Sequence, residues 1–199
     1  MAAQKRGLHT LRRTNLFRSL QVPHRRSLHI PESQSNRMLE DRSVKILEDE
    51  NSKSRDYFLE VTIDRASHTP CIITSYSIGG ESPSHHAKSH PFAFDGKTDA
   101  SLFSSISEEL GCKEESYESL THILSSLIDI FVSKEAFSMT VRLSRNMKGE
   151  LAVARSDFTF DDAAICSSKR HEDIKAMRDV STENLTAVEA EKDGIVYIK

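Results

Sequence analysis

Between residues 117 and 131, apolar side chains return at steps of three and four: Tyr117, Leu120, Ile123, Leu124, Leu127, Ile128 and Phe131. That spacing predicts an amphipathic helix whose continuous apolar face packs on a sheet. Residues 56–64 alternate instead, with Tyr57, Leu59, Val61 and Ile63 on one side, which is the period of a strand. After a turn-like stretch at 65–70, residues 71–77 read as a second strand, giving a hairpin with a long loop. A second hairpin is predicted from 137–143 and 151–158 across Asn146-Met147-Lys148-Gly149, where Asn and Gly tolerate the positive φ of such a turn. A shorter helix over 100–110 is predicted to stop at Gly111, just past its C-cap. Residues 33–41 suggest one or two helical turns, and 44–47 a brief strand. Residues 81–98 read as loop, and 160–199 as polar and irregular, with helical turns near 173–177 and 188–192. This order predicts an α+β fold, antiparallel hairpins forming a sheet with the long helix covering one face.

Composition adds limits to that picture. A chain of 199 residues, 37% apolar and 29% charged, suits one domain with a core. Its longest apolar run, near 123–132, is too short to cross a bilayer and contains Asp129, so no membrane span is expected. The charge is unevenly placed. Residues 1–31 carry seven basic side chains (Lys5, Arg6, Arg12, Arg13, Arg18, Arg25 and Arg26) and no acid. Setting those seven aside from 27 leaves 20 basic against 30 acidic residues, so the overall −3 conceals a remainder near −10. Such a remainder repels the phosphates of nucleic acid, which excludes that class of partner.

An Arg-, Ser- and Leu-rich start without acids has the composition of a mitochondrial presequence, assigned here to residues 1–30 and implying the matrix. Leu8, Leu11, Leu16 and Leu20 share about half of a helical wheel by the 100° step per residue, interrupted by Arg12. Removal near Arg25-Arg26-Ser27 would follow; the alternative is a disordered basic tail. Cys71, Cys112 and Cys166 are too scattered for a zinc knuckle and too few for a disulfide framework, so each reads as a small apolar residue. His85, His86 and His90 could hold a metal, but no carboxylate or thiol beside them completes a set, and they read as solvated imidazoles.

Four stretches, in order, go beyond composition. Ile30, Glu32, Gln34 and Leu39 resemble an opening I-H-E-Y-Q…L-L. Leu47-Glu48…Lys53…Asp56-Tyr57-Phe58…Thr62-Ile63-Asp64-Arg65 resembles V-E…(K/R)-E-(F/Y)-Y…(V/I)-D-R, and Pro70…Ile72-Ile73…Ser75…Gly79-Gly80 resembles P-V-(L/I)-I-A-S…G-G. Asp157-Phe158-Thr159-Phe160-Asp161-Asp162-Ala163-Ala164 resembles A-K-(L/I)-N-F-D-D-N-A. After it, Arg170-His171…Asp173-Ile174…Met177-Arg178-Asp179 resembles R-H-P-D-(I/V)…(L/M)-R-D, and Glu183…Glu189-Ala190…Gly194…Tyr197-Ile198 resembles the segment that follows. All belong to the β subunit of succinate–CoA ligase, which the chain resembles over essentially everything after residue 27.

The resemblance implies a partial ATP-grasp domain over 31–199. The family's N-terminal ATP-grasp half, with its phosphate-binding lysine and glycine-rich segment, would be inserted between Asp41 and Val44. Its CoA-ligase domain, which meets the α subunit, would follow Lys199. The family's cofactors are ATP/ADP or GTP/GDP with Mg. By position, Glu48 matches its hinge glutamate at the adenine and ribose, Asn51 a nearby nucleotide contact, and Asp56 an acid eight residues beyond the hinge. The magnesium-holding Asn and Asp fall on Val141 and Arg155, neither of which offers the hard oxygen that magnesium requires. The phosphorylated histidine belongs to the α subunit, so no histidine here inherits that role.

Two readings follow. In the first the chain is a succinate–CoA ligase β subunit, making succinate, CoA and a nucleoside triphosphate from succinyl-CoA, nucleoside diphosphate and phosphate. In the second it is a non-catalytic mitochondrial protein that binds a partner, such as an α subunit, or a decaying paralogue. Val141, Arg155 and the absent blocks favour an inactive chain. Exons dropped from a gene would explain the absent blocks but not the substitutions.

Overall fold

The computed structural model describes residues 27–47, 56–77, 87–112, 114–145, 149–161 and 171–177. Alternating sequence becomes strand where it was expected to. β2 (Asp56–Asp64) and β3 (Thr69–Ser77) form one antiparallel hairpin. β5 (Ala136–Arg145) and β6 (Leu151–Asp161) form the other, and β5 also pairs with β2. The loop between β2 and β3 is tighter than expected. Asp64 accepts the backbone N–H of Ala66 at 3.1 Å and the Ser67 hydroxyl at 2.7 Å, a local carboxylate cap that holds the turn.

Two strands were not legible in the sequence. β1 (Ser27–His29) pairs with the end of β6, burying Leu28 and Ile30. Residues 27–30 therefore contribute to the sheet, whereas the presequence boundary at 30 would assign them to a leader. β4 (Lys88–Pro91) pairs with β3 inside the stretch read as loop. Three residues and four residues are too few for alternation to register, and Pro91 tolerates only an edge position. The described strands make one sheet in the order β1-β6-β5-β2-β3-β4, antiparallel throughout. Residues 44–47 add only a bridge, Ile46 to Val153, rather than a strand.

Helices cover one face. α1 (Glu32–Glu40) lies on β6, α2 (Ala100–Leu110) against β3, and α3 (Glu114–Ser133) across β5, β6 and β2. α2 ends as predicted, with Gly111 left-handed at φ 61°. On α3, Leu120, Ile123, Leu124 and Leu127 are buried with 2% exposure or less, so the stripe does face the sheet. Its first member differs from expectation. Ser116 takes the buried place, donating to the Gly149 carbonyl at 2.7 Å, while Tyr117 turns half out toward Ser104 of α2. Two further contacts close the core. Between α1 and Val44 the chain makes a turn in which Ser43 has φ 62° and Arg42 reaches Asp129 of α3 at 2.8 Å. Short α4 (Glu172–Ala176) buries Ile174 and ties Asp173 to Lys134 at 2.7 Å.

Candidate functional site on the open face

The strand period sorts the sheet into two faces. Tyr57, Leu59 and Val61 of β2 and Met139, Val141 and Leu143 of β5 point at the helices, each at 2% exposure or less. Their neighbours in sequence therefore share the other face: Asp56, Phe58 and Glu60 on β2, and Ser138, Thr140, Arg142 and Ser144 on β5. The described helices do not lie on this second face, which gathers polar side chains, Ser75 and Ser144 among them buried.

Asp56 begins β2 on that face. Its carboxylate accepts the Ser144 hydroxyl at 2.7 Å, with the Arg142 guanidinium at 4.0 Å. Glu48 and Asn51 lie outside the described residues, so only Asp56 of the three nucleotide candidates is placed. His85, His86, Cys166 and the expected turns at 146–148 and 188–192 also lie outside them.

Val141 and Arg155 are not brought together. Val141 sits between Leu59 and Ser156 in the registers of β2 and β6, with no exposed surface. The side chain of Arg155 is 64% exposed on the opposite face, 3.7 Å from Glu32. A register shift explains the separation: Leu143 pairs with Val153 and Arg142 with Arg155, leaving Ala154 as the extra residue of a bulge. Counting along the sequence misses a bulge, and a slip of one residue moves a side chain to the other face. The residue standing opposite Arg155 is Arg142. Two guanidiniums offer no oxygen and add positive charge, so this pair does not fit Mg²⁺. The signal that could have found Arg142 was present, because Ser138, Thr140, Arg142 and Ser144 already form a polar period-2 series.

Glu60 occupies the middle of the same face, between Ile73 and Thr140. Burial raises its pKa, and a hydrogen bond from the Ser138 hydroxyl at 3.2 Å opposes that only partly. The sign is then fixed. A carboxyl whose folded pKa exceeds its unfolded one favours folding below the unfolded value, and that favour is lost as pH rises through the folded value. Glu60→Gln, which keeps an acceptor for Ser138, is therefore expected to melt higher than the parent at pH 7, with the gap closing at pH 4. Melting curves at the two pH values check this; an equal gap at both would contradict it.

At the other edge His90 is not solvated as its sequence context suggested. Its Nε2 lies 2.8 Å from Glu109 and 3.2 Å from the Thr74 hydroxyl, which itself donates to Glu109 at 3.0 Å. Glu109 and Thr74 are buried, so no substrate reaches them, and the cluster fastens β4 to α2. Among the described residues, no three His, Cys, Asp or Glu side chains gather as a metal site.

No protein-family model matches the chain. Individual proteins do. A succinate–CoA ligase [ADP-forming] subunit beta from Wolbachia sp. subsp. Brugia malayi is 28% identical over 157 residues, covering 75% of this chain and 40% of that protein. The mitochondrial succinate–CoA ligase [ADP-forming] subunit beta of Neurospora crassa is 31% identical over 154 residues, 73% of this chain and 33% of that one. The chain is a relative of the succinate–CoA ligase β subunits. It spans between a third and two fifths of the length of these curated relatives. Among solved structures, ATP citrate lyase from Methanothrix soehngenii, in complex with citrate and coenzyme A, superposes with a TM-score of 0.43. That match has 13% identity and covers 72% of this chain and 34% of that one.

Proposed function

We propose that this protein is a mitochondrial succinate–CoA ligase β-like protein, a partial ATP-grasp domain that does not carry out the ligase reaction. One observation carries the reading. Arg155 stands where the resemblance places a metal-holding carboxylate, and its cross-strand neighbour on that face is Arg142. Phosphoryl transfer relies on positioning and on neutralising phosphate charge around bound Mg²⁺, and a surface that repels the ion lacks that component. The short turn at 41–43 also supports it, since α1 passes directly to Val44 where the family inserts its phosphate-binding half. Asp56 keeps an acid eight residues beyond the hinge position of the resemblance, so any nucleotide recognition would be weak and independent of metal.

The acid-free first 26 residues support import into the matrix, with removal near Arg25-Arg26 leaving β1 whole. Purified protein with a succinate–CoA ligase α subunit and Mg-ADP or Mg-GDP is expected to show no turnover in a coupled assay. Measurable succinyl-CoA-dependent nucleotide phosphorylation would overturn the reading. A fluorescent reporter fused after residue 40 is expected in mitochondria, and a purely cytosolic signal would remove the localisation.

A further inference from the structure

β4 is the last strand on its side of the sheet, and it covers the edge of β3. The covered strand is Thr69-Pro70-Cys71-Ile72-Ile73-Thr74-Ser75-Tyr76-Ser77, without a charged side chain in its 9 residues. Within it, residues 71–76 combine strand-prone side chains with no charge, proline or glycine. That composition pairs readily with copies of itself. β4 has the opposite character. Its Lys88 and Pro91 are residue types with which natural sheet edges resist further pairing. Lys88, Ser89 and Pro91 are exposed and His90 is half-buried, so no side chain of β4 belongs to the apolar core.

Polar contacts pin the strand instead. His90 Nε2 lies 2.8 Å from Glu109 of α2 and 3.2 Å from the Thr74 hydroxyl of β3, and Lys88 Nζ comes within 3.8 Å of the same carboxylate. The Glu109 side chain is 7% exposed, so it depends on these partners. Just beyond the strand, Phe92 is the apolar anchor. Its N–H donates to the Pro70 carbonyl at 2.9 Å, and its ring meets the edge of Phe131. β4 is therefore fixed at one end by packing and along its length by one buried carboxylate.

We propose that β4 is a removable guard, and that its release bares the β3 edge as a surface for a second copy of this chain, joined edge to edge through residues 71–76. A charged peptide finds no complementary charge along β3, whereas an identical neutral strand meets no repulsion. Two identical edges paired antiparallel form a closed two-fold arrangement that needs no other partner.

Hydrogen exchange on the whole chain is the first test. The amides of Lys88, Ser89 and His90 are expected to exchange well before those joining β2 to β5, through local opening rather than global unfolding. His90→Ala removes the hydrogen bond to Glu109, and Glu109→Gln takes away its charge. Each is expected to speed exchange in β4 by about tenfold or more, the weight of a hydrogen bond to a charged group. Light scattering over a concentration series is then expected to show both variants associating at least about tenfold more tightly than the parent, because the competent open form is enriched by that factor. Adding Ile73→Lys, at a half-buried position of the same stretch, sets like charges across the paired edges and is expected to restore the parent's behaviour. Circular dichroism checks the folding of each variant, and the parent's exchange decides the first point even if both variants unfold. Exchange of β4 only with global unfolding overturns the guard. Faster exchange without added association, or association that Ile73→Lys leaves untouched, overturns the β3 edge as the surface.

Discussion

Replacing Leu124 with alanine is expected to cost about 2–5 kcal/mol of unfolding free energy, the range for emptying a fully buried leucine site. Leu124 has no exposed surface and lies mid-way along the α3 stripe, where the helix crosses the sheet. Alanine is the better helix former, so the substitution improves the local propensity and any loss comes from packing alone. The cavity would open toward β5 and β2, whose inward residues Met139, Val141 and Leu59 are themselves fully buried and anchored by ladder hydrogen bonds. They have little freedom to collapse into the space, which favours the upper part of the range. Tyr117→Ala serves as the comparison. Because Tyr117 has turned half out of the stripe, it should cost well under the Leu124 value. Urea titration of both variants measures the difference, and a larger loss at Tyr117 would mean that the helix is rotated from the arrangement described.

The long helix and both hairpins were legible because each carries many repeats of its own period. Leu120, Leu124 and Leu127 on one side of α3, and Tyr57, Leu59 and Val61 on one side of β2, fix which face is inward before any contact is known. Gly111 fixed the end of α2 by the same kind of local rule. β1 and β4 escaped because they are too short for a period and exist only through pairing with β6 and β3. His90 escaped for a related reason, since its partner Glu109 is 19 residues away on a helix that only the fold brings near. On the second face of the sheet, resemblance pointed to Asp56 and Arg155, but the bulge at Ala154 hid that Arg142 stands opposite Arg155. A count along two strands assumes uninterrupted register, and one extra residue exchanged Val141 for Arg142 as the neighbour of Arg155.

That exchange leads to opposite expectations for two substitutions that look equivalent in sequence. Val141→Asn, which would restore the amide the family resemblance calls for, is expected to destabilise the fold by about 2–4 kcal/mol and to add no affinity for Mg²⁺. The cost has two parts: loss of a buried apolar side chain, and burial of an amide without enough partners. The obvious partner is already engaged. Ser156, opposite Val141, shares its hydroxyl with Ser35 at 2.6 Å and Asn36 at 2.7 Å. Arg155→Asp, by contrast, changes a side chain that is 64% exposed and should cost about 1 kcal/mol or less, through repulsion of Glu32 and Asp157. Urea unfolding of the two variants, with a Mg²⁺ titration of each, separates the alternatives. If Val141→Asn leaves stability within about 0.5 kcal/mol of the parent, the ordinary range for a surface change, then Val141 faces outward. The arginine pair would then not be the centre of this face.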